Sequence, residues 1–300
     1  MFPCKSIIGC RGSGKSTGLM VDLLAAALMG IAVVVMDRPG TLARGMVGNL
    51  CAAGLEDEVV YEIASDTDWV LTFPFIENSS KPGLEGEREN EFMDECFAQV
   101  FYAKRGLKSA EQRPYIKKYM ENAIAIFRSL PGQRPISDMK YIFRRGTKEH
   151  DRMMMESTAT DAVLEMAHVE ARGPVQYEKE VGAAERMLSV LWKSPVVRIR
   201  HGIGLNWTEA LKQKKQIYFD LANITEEAAR SLAILATHGA INAARKYFYE
   251  TKEPLPVVIV LEEAGALDLV TPFIISSMQE LRKAGVAIWI VSQSTEDFPG

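Results

Sequence analysis

Cysteine and histidine are both scarce, with four of each in 300 residues. The cysteines, Cys4, Cys10, Cys51 and Cys96, form no C-x-x-C pair. Neither a disulfide framework nor a zinc site is therefore expected, and reduced thiols in a cytoplasmic setting fit the pattern. His150, His168, His201 and His238 share no ligand spacing. Positive charge is not in excess either: 35 Lys and Arg stand against 39 Asp and Glu, a net charge of −4. That excludes a broad basic field of the kind that coats DNA, but not a ring whose basic residues line only an inner channel. Hydrophobic runs are short. The best membrane-span candidate, residues 23–36, is interrupted by Gly30 and preceded by Asp22, and falls below the roughly 20 apolar residues a spanning helix needs. No signal peptide is visible before the first strand. No repeat, low-complexity tract or N-K-x-D guanine signature occurs, and the last absence tilts a nucleotide site towards ATP.

What is present is concentrated near the start. Gly9, Cys10, Arg11, Gly12, Ser13, Gly14, Lys15, Ser16 and Thr17 fit G-x-x-x-x-G-K-[ST], the phosphate-binding loop known as Walker A. Glycines let the backbone curl until successive N–H groups face phosphate oxygens. Lys15 adds a cation for the outer phosphates, and the Ser16 hydroxyl suits Mg²⁺. The context agrees with the motif. Residues 5–9 read as a short apolar strand, and residues 15–29 carry Leu19, Leu23, Leu24, Ala27 and Leu28 at helical spacing. ATP with Mg²⁺ is the expected ligand pair.

Residues 31–37, Ile-Ala-Val-Val-Val-Met-Asp, form a continuous β-branched run of the kind found in parallel strands covered on both faces. A turn, Asp-Arg-Pro-Gly, follows, then a helix over 41–53 and a strand over 59–63. Strand and helix alternation predicts an α/β layer with right-handed crossovers. The pattern then changes. From about 83 to 193 no strand is convincing, and helices are expected over 87–103, 114–130, 137–145, 148–170 and 176–192. Strands resume at 217–221, followed by a long helix over 225–249. The expected organisation is a nucleotide-binding core of residues 1–82 and 194–300, with an inserted all-helical subdomain at 83–193.

Residues 257–261, Val-Val-Ile-Val-Leu, run into Glu262 and Glu263. An apolar strand ending in two acids is the Walker B arrangement. The first carboxylate, Glu262, supports the metal, and the second, Glu263, polarises the attacking water. A helix over 272–284 and a buried strand over 286–291 come next, ending at Ser292 and Gln293. At the carboxyl end of a strand neighbouring Walker B, Gln293 is placed as a γ-phosphate sensor. Arg282 admits two readings, an arginine finger serving a neighbouring subunit or a cation favourably set at a helix C-terminus.

Taken together, these segments resemble the FtsK–HerA superfamily, closest to conjugation coupling proteins and HerA-type ATPases. The resemblance runs through the phosphate loop, the second-strand end Asp37-Arg-Pro-Gly, the helical insert, Walker B and the stretch from Arg282 to Gln293. It implies a RecA-like core and a hexameric ring that moves DNA. It also implies that Glu263 is the catalytic carboxylate, Gln293 the sensor and Arg282 a finger acting in trans. Three features depart from the family. Glu262 stands where Asp is usual, the barrel and the membrane anchor found in relatives have no counterpart, and the sequence stops just past the sensor strand.

An ATP-driven DNA translocase is the leading expectation, in conjugative transfer, viral genome packaging or chromosome processing. The alternatives are a secretion-type ATPase acting on protein and a nucleotide-controlled assembly or defence ATPase. Lys117, Lys118, Arg144, Arg145, Lys212, Lys214 and Lys215 are the basic residues considered for DNA contact.

Overall fold

The computed structural model describes residues 3–9, 12–76, 83–103, 114–132, 134–263 and 281–293. Two compact units emerge, one of residues 1–73 with 202–300 and one of residues 74–201. The interval 83–193, expected as a helical insert, lies within the second.

The first unit is built on six strands: β1 (Lys5–Ile8), β2 (Ala32–Asp37), β3 (Val59–Ile63), β4 (Gln216–Asp220), β5 (Val257–Glu262) and β6 (Val286–Ser292). They form one parallel sheet in the order β1-β6-β5-β2-β4-β3. Every residue of β2, β4, β5 and β6 is buried. This is why those segments read as unbroken apolar runs rather than as alternations. On one face lie helices α1 (Lys15–Leu28) and α2 (Thr41–Ala52). There Leu19, Leu23, Leu42, Met46 and Leu50 pack with Val33, Val35, Tyr218, Val258, Val260 and Trp289. The opposite face receives a short helix, Trp207–Lys212, and a long one, Glu226–Thr251, which pack on each other and on β2. The long helix begins where its side chain predicts: Thr225 accepts the Ala228 N–H at 3.3 Å as N-cap.

Side-chain alternation has one consequence for function. With period two, the residues that share a face with Val260, Val35 and Tyr218 at the strand ends are Glu262, Asp37 and Asp220. Strand register pairs Asp37 with Glu262 on one side and with Asp220 on the other. Three carboxylates therefore stand in a row at the carboxyl edge of β5, β2 and β4, on the α1/α2 face.

The second unit is helical among its described residues. Several helices are shorter than the sequence patterns suggest. The expected helix over 148–170 is interrupted after Glu156, and a new one starts at Thr160. Between them the Ser157 hydroxyl accepts from the Ala159 N–H at 3.2 Å and meets Ser129 Oγ at 2.6 Å. A local side-chain partner of this kind draws backbone out of the helical ladder. The expected helix over 176–192 becomes three pieces, Pro174–Glu180, Gly182–Leu188 and Val190–Lys193. The Ser189 hydroxyl between the last two donates back to the Arg186 carbonyl at 2.9 Å. Residues Ile136–Phe143 form a 3₁₀ helix rather than an α-helix. Ile136, Met139 and Ile142, at a spacing of three, are all buried, which matches three residues per turn.

Candidate nucleotide-binding site

Local sterics shape the phosphate loop. Gly12 and Gly14 both take φ of 80°, a left-handed conformation that other residues adopt only with strain. At Gly9 the constraint is space, since an added Cβ would sit 2.7 Å from Ser13 Oγ. Gly14 is the N-cap of α1, so the loop delivers the helix N-terminus and its free N–H groups to the same point. Lys15 Nζ donates to the Gly9 carbonyl across the loop. Cys10 and Arg11 lie outside the described residues.

The sheet order decides what faces this loop. β6 lies between β1 and β5, so its carboxyl end separates the loop from Walker B, and Ile8 pairs with Ser292. A cleft of about 610 Å³ opens there, within the range of roughly 300–1,000 Å³ typical of small-molecule sites. It is lined by residues 12–17, by Glu262 and Glu263, by Val291, Ser292 and Gln293, and by Pro39 and Thr41.

Two side-chain contacts join the motifs across the cleft. Ser16 Oγ donates to Glu262 Oε1 at 3.1 Å, linking α1 to the end of β5. Gln293 Nε2 donates to Glu263 Oε1 at 2.5 Å, linking the end of β6 to the residue after β5. Glu263 sits at φ 56°. A left-handed non-glycine residue costs about 1–3 kcal/mol, and here that conformation turns the chain so that consecutive acids serve different partners.

Glu262 is only 5% exposed, and its Oε2 has no hydrogen-bond partner. Burial and the neighbouring charge of Asp37 push its pKa up to about 7, against the lowering effect of the Ser16 hydroxyl. Asp37 is fully buried. Its pKa rises to about 6, chiefly through burial and with a contribution from Asp220, although backbone donors led by Ala43 oppose the rise. Asp220 is well supplied with donors, accepting from Arg44 Nε at 3.1 Å, Tyr61 Oη at 3.0 Å and the Ala222 N–H at 3.0 Å. Burial and Asp220 together push the Tyr61 phenol up to about 12.

Residues 12–17, Glu262, Glu263 and Gln293 thus meet around one cleft. Ser16 and Glu262 fit a divalent cation on chemical grounds, offering a hydroxyl, a carboxylate and a buried carboxylate oxygen that lacks a donor. Arg282 is exposed and is not among the residues lining the cleft. Of the helix expected over 272–284, residues 272–280 lie outside the described residues. Pro39 and Thr41 line the cleft although the sequence reading gave them no role; their position just past the carboxyl end of a parallel strand is the signal that would have found them. The basic residues considered for DNA contact are largely occupied with neighbours. Lys117 pairs with Glu121 at 3.5 Å, Lys118 with Glu165 at 2.8 Å and Lys212 with Glu209 at 3.5 Å. Lys215 donates to the Asp57 carbonyl at 2.7 Å, and the Arg145 guanidinium lies 5.1 Å from the Tyr177 ring. No helix among the described residues is long and apolar enough to cross a membrane.

No protein-family model matches the chain, and no curated protein matches it in sequence. Solved structures do match. The bacterial conjugative coupling protein TrwBdeltaN70, in an unbound monoclinic form, aligns with a TM-score of 0.66 over 98% of this chain and 62% of its own length, at 16% identity. The plasmid coupling protein TrwB in complex with ADP and Mg²⁺ aligns at 0.66 over 98% of this chain and 64% of its own length, again at 16% identity. The same protein in complex with the non-hydrolysable ATP analogue ADPNP gives the same values. The chain therefore spans less than two thirds of the coupling-protein structures it matches. At this identity the likeness concerns the fold, and the fold is that of the coupling protein TrwB, a parallel P-loop α/β sheet; in this chain the phosphate loop, the acids at the end of β5 and just past it, and the tip of β6 converge on one cleft.

Proposed function

We propose that this chain is an ATP-hydrolysing subunit of a ring motor that moves DNA. The observation that carries the proposal is the convergence at one cleft of Ser16 on Glu262 and of Gln293 on Glu263. Support for the class of work comes from the TrwB fold, because TrwB is a plasmid coupling protein with structures in complex with ADP and Mg²⁺ and with ADPNP.

In this reading residues 12–14 and the α1 N-terminus hold the phosphates through backbone N–H groups, and Lys15 places its ammonium on the outer phosphates. Ser16 and Glu262 hold Mg²⁺, which when bound neutralises charge on the phosphate oxygens. Glu263 orients a water and draws its proton as the water oxygen bonds to the γ-phosphorus. The bond from that phosphorus to the bridging oxygen breaks, and the electron pair leaves with ADP. Gln293 holds the Glu263 carboxylate through its amide, so the side chain that senses the phosphate also fixes the base. Arg282, exposed and away from its own cleft, is available to a neighbouring subunit as the charge that completes the transition state.

ATP hydrolysis with and without double-stranded DNA, together with a mass measurement of the oligomer, tests the proposal. DNA-stimulated turnover in a hexamer is expected. Turnover indifferent to DNA would move the assignment to a protein-handling or assembly ATPase, and the lack of any ATPase activity would overturn it.

A further inference from the structure

Asp37 has no place in the hydrolysis scheme, yet it occupies the centre of the acidic row. Its two oxygens differ. Oδ2 accepts the Ala43 N–H at 2.7 Å in the first turns of α2, while Oδ1, fully buried, has no partner. On the adjacent strand Glu262 is divided in the same way, with Oε1 taking the Ser16 hydroxyl and Oε2 unpartnered. The two residues are register partners on one face of the sheet, and parallel neighbours lie about 4.8 Å apart. Two buried carboxylate oxygens without donors are costly side by side unless something donates to both. Side-chain donors nearby are engaged elsewhere: the Arg44 guanidinium and the Tyr61 hydroxyl go to Asp220, the Arg38 guanidinium goes to the Leu221 carbonyl at 2.8 Å, and Lys15 Nζ donates to the Gly9 carbonyl. The Gly40 and Leu42 N–H groups add to Ala43 in favouring the charged form of Asp37, but none makes a hydrogen bond to Oδ1. No group of three or more His, Cys, Asp or Glu suited to a metal occurs among the described residues. A fully protein-built metal cage is thus absent there, whereas two carboxylates beside a phosphate loop are what Mg²⁺ with a retained water shell uses.

We propose that Asp37 is a positioning residue for the divalent cation, its free Oδ1 acting with Glu262 Oε2 to accept hydrogen bonds from the cation's water shell. The inference rests on the ATPase reading and adds a residue to its metal site. It also gives the α2 N-terminus a role. Through Oδ2, Asp37 also accepts the Ala43 N–H, so the same carboxylate reaches the first turn of α2, beside Pro39 and Thr41, which line the cleft.

The test is Asp37→Asn, which keeps an acceptor for Ala43 and removes the charge. Titration of the full chain with ADPNP, with and without Mg²⁺, should show a Mg²⁺-dependent gain in affinity for the wild type. In the variant that gain should fall by about 10–100-fold, the range for losing an outer-shell partner of a metal ligand, while affinity without Mg²⁺ stays close to wild type. Thermal stability without metal or nucleotide should be equal to or above wild type, because a buried charge has been removed. Asp37→Asn combined with Glu262→Gln should lose no more Mg²⁺ dependence than Glu262→Gln alone. An unchanged Mg²⁺ gain in Asp37→Asn, additive losses in the double variant, or a marked loss of metal-free stability each overturns the inference, the last by making Asp37 only a helix-positioning group. A wild-type chain that binds no ADPNP overturns the ATPase reading and this inference together, whereas Mg²⁺-dependent binding unaffected by Asp37→Asn overturns this inference alone.

Discussion

Lys15 and Glu263 stand at the same cleft, and the proposed mechanism gives them different parts of the reaction, so they should fail differently. In it Lys15 supplies charge to phosphates already in the ground state, so Lys15→Ala should weaken ATP binding sharply and abolish turnover. Glu263 is proposed to act on the attacking water. Glu263→Gln keeps shape and the possibility of a hydrogen bond to Gln293, so ATP should bind nearly as in wild type and persist unhydrolysed. Nucleotide titration and phosphate release, measured on both variants, separate these outcomes. Equal loss of binding in the two would make Glu263 structural, and turnover within a few-fold of wild type in Lys15→Ala would remove the site assignment. Both residues were legible in the sequence because each motif is local, a run of nine residues and a strand with two acids. The 2.5 Å contact from Gln293 to Glu263 was not, since it joins residues whose neighbourhood is set by strand order.

Helix packing depends on features the hydrophobic pattern carries only in part. In the long helix Glu226–Thr251, Gly239 faces the Trp207 ring, and an added Cβ would lie 2.8 Å from ring atoms Cδ1 and Cε2 and closer still to Nε1. Trp207 cannot easily yield, because it is 2% exposed and wedged edge-on against Phe73 at 5.6 Å between ring centres. Gly239→Ala gains roughly 1 kcal/mol of helix propensity. Against that, overpacking costs typically about 1–3 kcal/mol, and here the obstacle is a rigid ring. The expected outcome is net destabilisation, read as a lower midpoint in urea unfolding of the full chain. An unchanged or raised midpoint would mean that the two helices separate without cost. From the sequence, glycine in the middle of a helix reads as a mild defect; only the partner helix shows why it is there.

For the molecule as a whole, the proposed ring motor makes a neighbouring subunit part of each site. Arg282 is exposed and does not line its own cleft, and it is proposed to act on the cleft of a neighbouring subunit. Arg282→Ala should then leave ATP binding nearly intact and cut turnover by about 10³–10⁵-fold. Mixing sharpens the test, because a Lys15→Ala subunit still carries Arg282 and an Arg282→Ala subunit still carries a complete phosphate loop. Mixed oligomers of the two, verified by mass, should regain part of the hydrolysis. Mixed oligomers without recovery would reduce Arg282 to a helix-end cation.

The sequence by itself determined the strands and the backbone conformation of the phosphate loop, because both follow from local rules. β-branched runs bury themselves on two faces, and glycines at fixed spacing permit backbone that other residues resist. It also placed the helical interval between two strand-rich regions, although hydroxyl groups at Ser157 and Ser189 accompany helix ends that apolar periodicity did not register. Tertiary structure alone decided which strand ends are neighbours. Nothing in the spacing of Asp37, Asp220 and Glu262, spread over 226 positions of the chain, says that they stand side by side. That follows from the order β1-β6-β5-β2-β4-β3. With that order β6 lies between the phosphate loop and the end of β5, and Asp37 lies beside Glu262, the neighbour on which its proposed role depends.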